Sequence, residues 1–138
     1  NALNVIPGEV ELGVDIRGIE VSSLDRIERE MRESARRICK KRGIEYLEVK
    51  TSEIPPIDMS EDVQNGLEMA ARRLGVNCRR MVSGAGHDAM SFAGICNTGM
   101  VFIPCVKGVS HNIMEFASIT DICEGARVMY EYLKEEAS

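Results

Sequence analysis

The sequence predicts an α/β fold, and three patterns carry that expectation. Val10, Leu12, Val14 and Ile16 alternate with Glu11, Gly13 and Asp15, the period-two pattern of a half-buried strand. Leu24, Ile27, Met31 and Ile38 then recur at helical spacing. Gly99 to Pro104 (GMVFIP) is a continuous apolar run, as in a strand covered on both faces of a mostly parallel sheet.

Taken in order, Pro7-Gly8 makes a turn before the first strand. The first helix has Ser22 or Ser23 available as N-cap, basic Lys40, Lys41 and Arg42 at its negative end, and Gly43 as its stop. Ile44 to Thr51, with Tyr46, Leu47 and Val49, reads as a second strand, so residues 1–53 make a strand-helix-strand unit too small to bury its own helix. Pro55-Pro56 cannot donate to a ladder and keeps the preceding backbone extended, which places a domain crossing between residues 52 and 59. Ser60 then caps a helix with the face Val63, Leu67, Ala70 and Leu74, ended by Gly75. Arg80 to Val82 is a short strand, and Thr120 caps a last helix with the face Ile122, Ala126, Met129 and Leu133. Residues 54–138 thus alternate helix and strand.

Composition narrows the functional classes. Hydrophobic residues make up 44% of the 138, enough for a core. Residues 1–53 carry 10 basic and 11 acidic side chains, and residues 54–138 carry 7 and 11, so neither part suits a nucleic acid. The basic run Arg36 to Arg42 follows Glu28, Glu30 and Glu33 and reads as a solvated helix end. Five cysteines without a Cys-x-x-Cys pair signal neither a disulfide framework nor a zinc ribbon and fit a reducing cytoplasm. No run is long enough to span a membrane. The opening at Asn1, without methionine or signal pattern, reads as a cut from a longer chain.

The chain has two histidines, each in a loop at a predicted strand end, where open α/β sheets bind ligands. Ser83-Gly84-Ala85-Gly86-His87-Asp88-Ala89 has two glycines that let backbone amides approach a ligand, although His87 or Asp88 could equally cap the next helix. His111, after Gly108-Val109-Ser110, could ligate a metal, with Glu115 orienting it if the segment turns helical; the plainer reading is a surface loop residue. Arg17, opposite the apolar strand face, offers a planar fork to a substrate carboxylate or to a glutamate on a paired strand.

Asn4-Val5-Ile6-Pro7-Gly8-Glu9-Val10, Val14-Asp15-Ile16-Arg17, the Ser83–Ala89 loop, Gly99–Pro104 and Ser110-His111-Asn112 together resemble the carboxyl-terminal part of the hydantoinase/carbamoylase family of metal-dependent amidohydrolases. This family is related to the aminoacylase-type metallopeptidases and includes enzymes acting on N-carbamoyl-L-amino acids, allantoate and ureidopropionate. The resemblance implies that residues 1–53 end an α+β, ferredoxin-like lid and dimerisation domain. Residues 54–138 would be the carboxyl-terminal part of an α/β metallohydrolase catalytic domain.

It further implies that Asn4 and Arg17 hold the substrate's carboxylate and amide end, that Gly86 and His87 line the substrate pocket, and that His111 is the last metal ligand. The family usually has proline after the Ser-His-Asn or Ser-His-Ser motif, where this chain has Ile113. Two divalent ions, zinc or manganese, serve the full enzyme. The implied reaction is attack of metal-activated water on a carbamoyl or ureido carbon, with a glutamate as base. That glutamate and the remaining ligands have no counterpart in this stretch, so the site is expected to be incomplete and the 138 residues inactive alone. The implied partners are a small carboxylate or ureido substrate and a second subunit docked through the lid. The alternative class is a non-catalytic, small-ligand-binding or regulatory α/β module, which a strand-helix-strand unit also suits.

Overall fold

The computed structural model describes residues 4–137. They divide into two compact units, Asn1–Pro56 and Ile57–Ser138.

The first unit is built on one long helix, α1 (Val21–Arg42). It starts two or three residues earlier than the serine caps suggest. Glu20 is the N-cap residue, without a side-chain cap, and its carbonyl accepts the amides of Ser23 and Leu24. Ser22 and Ser23 therefore lie inside the first turn. The predicted stop is where it was expected: Gly43 sits at φ 65°, and its amide and that of Ile44 close onto the carbonyls of Lys40 and Cys39. A side chain at that left-handed position is strained, so Gly43→Ala is expected to cost about 1 kcal/mol, read as an earlier thermal loss of helical circular dichroism.

No strand forms among the described residues, and this corrects four expectations: residues 10–16, 44–51, 80–82 and 99–104 all lack a ladder partner. Alternation marks a residue pattern that suits a pleat, but a strand also needs a neighbour to take its hydrogen bonds. In the first unit, residues 44–53 run back along α1, held by charge. Glu48 accepts from Arg32 at 2.8 Å, Arg36 at 3.4 Å and the Tyr46 hydroxyl at 2.8 Å, while Lys50 reaches Glu28 at 3.4 Å. Period two survives in this arrangement: Tyr46 and Glu48 are half-buried toward the helix, and Leu47 (87% exposed) and Val49 point away. Tyr46 is held protonated to higher pH than usual by its hydrogen bond to the Glu48 carboxylate. Ile27, Met31 and Ile38 of α1 remain exposed, as do Val10, Leu12 and Val14. No residue of this unit is buried among those described.

The second unit has the only core among the described residues. Helices α2 (Glu61–Arg73) and α4 (Ile119–Glu136) pack together, burying Ala70, Ala71 and Val128 beneath Leu67, Leu74, Val76 and Tyr132. Small residues at the contact set how closely the helices approach: a Cβ on Gly66 would lie 2.5 Å from the Tyr132 ring. Arg73 and Glu135 pair across the same contact.

Ser60 caps α2 by accepting the Val63 amide, with Glu61 and Asp62 at the positive end of the dipole. α4 is capped by Ser118 rather than Thr120. The Ser118 hydroxyl accepts the Asp121 amide at 3.1 Å and donates to the Asp121 carboxylate at 2.5 Å, which makes it the better cap than a threonine already inside the turn.

The apolar run at 99–104 lies across both helices. A Cβ on Gly99 would meet Val63, and one on Gly125 of α4 would lie 2.6 Å from Ile103 Cγ2. Val101 and Ile103 are half-buried, whereas Phe102 is exposed. The run is therefore covered on one face, not on two as a central strand would be.

Candidate functional site

The glycine loop is fixed at its root by Arg80. Its guanidinium reaches back to α2, donating to Glu68 Oε1 at 3.0 Å and Oε2 at 3.3 Å and to Asn65 Oδ1 at 2.6 Å. The donated bonds hold the Glu68 carboxyl below the usual carboxylate range. A depressed folded-state value means that this pair supports folding above the ordinary carboxylate range and that its support is lost as pH falls through the folded-state value. Glu68 is therefore expected to titrate lower than a typical glutamate in carboxyl carbon NMR, and Arg80→Gln is expected to bring it back up.

From that root the chain enters Ser83–Asp88. Asp88 is the N-cap residue of the short helix α3 (Ala89–Ala93) without a side-chain bond, and the His87 carbonyl accepts the Met90 amide. The side chain of His87 does other work. Its Nε2 lies 2.7 Å from Ser83 Oγ, which also accepts the Ala85 amide at 3.2 Å. Its ring meets Phe102 edge-on, with centroids 5.5 Å apart at 65°. His87 and Phe102 thereby line a groove of about 840 Å³, together with Val63, Leu67, Phe92 and Met129. Gly86, one residue upstream, is exposed and outside that lining.

His111 stands elsewhere in the same unit. A 3₁₀ turn, Val106–Gly108, leads into its loop, and Lys107, Gly108 and His111 have φ of 58°, 65° and 55°. Left-handed backbone at a histidine is uncommon and is held here by side chains. Glu115 Oε2 accepts the His111 backbone amide at 2.8 Å, and Asn112 Oδ1 accepts the Met114 amide at 2.9 Å. The segment does not turn helical, so Glu115 holds the backbone of His111 and not its imidazole, which corrects the expected orienting role. His111 and Glu115 are both exposed, and His111 does not line the groove that His87 lines.

In the first unit, Arg17 is bound to Asp15: its Nε lies 3.0 Å from both carboxylate oxygens and its Nη2 2.6 Å from Oδ2. These hydrogen bonds lower the Asp15 carboxyl and raise the Arg17 guanidinium. The alternative partner, a glutamate on a paired strand, is not the one found: Arg17 pairs with Asp15, two residues away on the same segment. Asn4 lies in an exposed turn.

Sequence reasoning gave Ser83 no role and did not pair His87 with Phe102. The first is a local contact over four residues that a loop reading does not specify, and the second joins residues 15 apart in the chain. Among the described residues, no group of three or more His, Cys, Asp or Glu could hold a metal ion. None of their helices is long and apolar enough to cross a membrane.

The sequence profile of Peptidase family M20/M25/M40 matches residues 4–135. The chain belongs to this family. Within it, an N-carbamoyl-L-amino-acid amidohydrolase of Pseudomonas sp. (strain NS671) is 40% identical over 128 residues, which are 93% of this chain and 31% of that protein. The crystal structure of an amidase of the hydantoinase/carbamoylase family from Burkholderia multivorans superposes with a TM-score of 0.77 at 33% identity, over 84% of this chain and 28% of that one. The crystal structure of AtUAH in complex with (S)-hydroxyglycine gives the same TM-score and identity, over 85% and 28%. The M20/M25/M40 chain thus spans about a third of the length of these relatives.

Proposed function

We propose that this chain is a stretch of a metal-dependent amidohydrolase that hydrolyses the carbamoyl or ureido C–N bond of N-carbamoyl amino acids or related compounds. The observation that carries this reading is the 40% identity to an N-carbamoyl-L-amino-acid amidohydrolase over 93% of the chain. In this reading residues 1–53 end a ferredoxin-like lid and residues 54–138 belong to the α/β catalytic domain. The exposed Leu47 and Val49 and the exposed stripe Ile27, Met31 and Ile38 support the first assignment, since a sheet and its helix leave such faces bare when neighbouring strands are missing. A homodimer formed through the lid and a cytoplasmic site of action complete the reading.

Arg17 would hold the substrate carboxylate, its fork kept in one orientation by Asp15, and Asn4 would bind the amide end. His87 would face the substrate from the groove, beside Gly86. The bound (S)-hydroxyglycine of AtUAH, itself an α-amino acid, is consistent with a small carboxylate ligand.

A resident zinc or manganese ion needs three or four protein donors, and His111 alone is proposed as one of them. The described residues do not fit a metal by themselves. The chain alone is accordingly expected to show no hydrolase activity with added manganese. The test of the reading is a chimaera in which this chain replaces the matching 128 residues of the Pseudomonas enzyme. Retained release of ammonia from N-carbamoyl amino acids is expected. A folded chimaera without that activity would overturn the proposal.

A further inference from the structure

We propose that Ser83 is a positioning residue for His87, fixing the neutral imidazole as the tautomer with the proton on Nδ1. The inference rests on the reading above only for the identity of the groove's ligand, a carboxylate or carbonyl oxygen. The geometry is local. Ser83 Oγ accepts the Ala85 amide at 3.2 Å and lies 2.7 Å from His87 Nε2. A hydroxyl has one proton to give, and giving it to Nε2 uses the Ser83 donor while the Ala85 amide occupies an acceptor site. Were the ring instead protonated on Nε2, the Ser83 proton would lack this partner in a half-buried loop.

With Nε2 accepting, Nδ1 carries the proton and becomes a donor. The Phe102 edge contact limits rotation of the ring, and the groove beside it is where a ligand oxygen would meet that donor. When its ring is neutral, His87 thus donates through Nδ1, a role that follows from which of its nitrogens the loop occupies.

The test reads ring nitrogens by two-bond proton–nitrogen correlation NMR on the chain above the histidine titration range, with His87 assigned by the signals lost in His87→Gln. The expected wild-type pattern is a protonated Nδ1 and an accepting Nε2. Ser83→Ala is expected to shift the tautomer ratio roughly fivefold toward Nε2–H, the effect of one net hydrogen bond, and Ser83→Thr is expected to restore it. A wild-type ring protonated on Nε2, or a ratio unchanged in Ser83→Ala, would overturn the assignment. The measurement involves no substrate, so a failed chimaera assay leaves it intact and its own failure leaves the hydrolase reading intact.

Discussion

Gly125→Val is expected to lower the stability of the second unit by about 2–3 kcal/mol, the upper range for overpacking a close contact. The cause is the crossing of residues 99–104 over α4. A Cβ at position 125 would stand 2.6 Å from Ile103 Cγ2, and that methyl is carried directly on the Ile103 Cβ, so it cannot swing away as the end of a long side chain would. Gly125 is buried inside α4, where alanine would otherwise be the better helix former by about 1 kcal/mol. Gly125→Ala is therefore expected to fall between wild type and Gly125→Val, its propensity gain offsetting part of the clash.

Ile103→Ala removes the opposing methyl. Combined with Gly125→Val it is expected to lose less than the sum of the two single changes, a coupling that identifies this contact as the cause. Urea unfolding should show the loss as a lower midpoint with unchanged slope. Additive single and double variants would mean that the run does not cross α4 at Ile103.

The helices were legible in the sequence and the sheet was not, for one physical reason. A helix closes its hydrogen bonds within four residues, so Leu24, Ile27, Met31 and Gly43 announce α1, and Ser60 with Glu61 and Asp62 announces α2. A strand closes its bonds on another segment. Val10-Leu12-Val14 has the pattern without the neighbour, and its side chains remain exposed. Even for helices, the periodicity names a face without naming its cover. Ile27, Met31 and Ile38 of α1 are exposed while the charged Glu28 and Arg32 are half-buried beside Glu48 and Lys50.

The candidate site divides in the same way. The five segments from Asn4–Val10 to Ser110-His111-Asn112 were together sufficient to recognise the family, because order and spacing survive in sequence. What each side chain touches did not. Glu115 was placed by helical spacing, but the loop bends at His111, and the carboxylate caps the histidine's amide instead.

In the chimaera, Arg17→Ala is expected to raise KM for carboxylate substrates by roughly 30- to 150-fold, the loss of about 2–3 kcal/mol carried by a charge-assisted hydrogen-bonded pair. The turnover number is expected to change little, because a carboxylate held remote from the reacting carbon is gripped equally in ground and transition states. Asp15 makes the prediction sharper. Its carboxylate engages Nε and Nη2 of Arg17, so it aligns the fork and also competes for it. Asp15→Asn keeps the shape and removes the charge, and it is expected to alter KM far less than Arg17→Ala while leaving the fold intact, since both side chains are exposed and their pair contributes little to folding.

Arg17→Lys keeps the charge but not the planar fork, and is expected to recover only part of the lost affinity. A methyl ester substrate, which lacks the carboxylate, is expected to bind wild type and Arg17→Ala alike. Equal KM for the free acid in wild type and Arg17→Ala would instead make the Arg17–Asp15 pair a surface ion pair and nothing more.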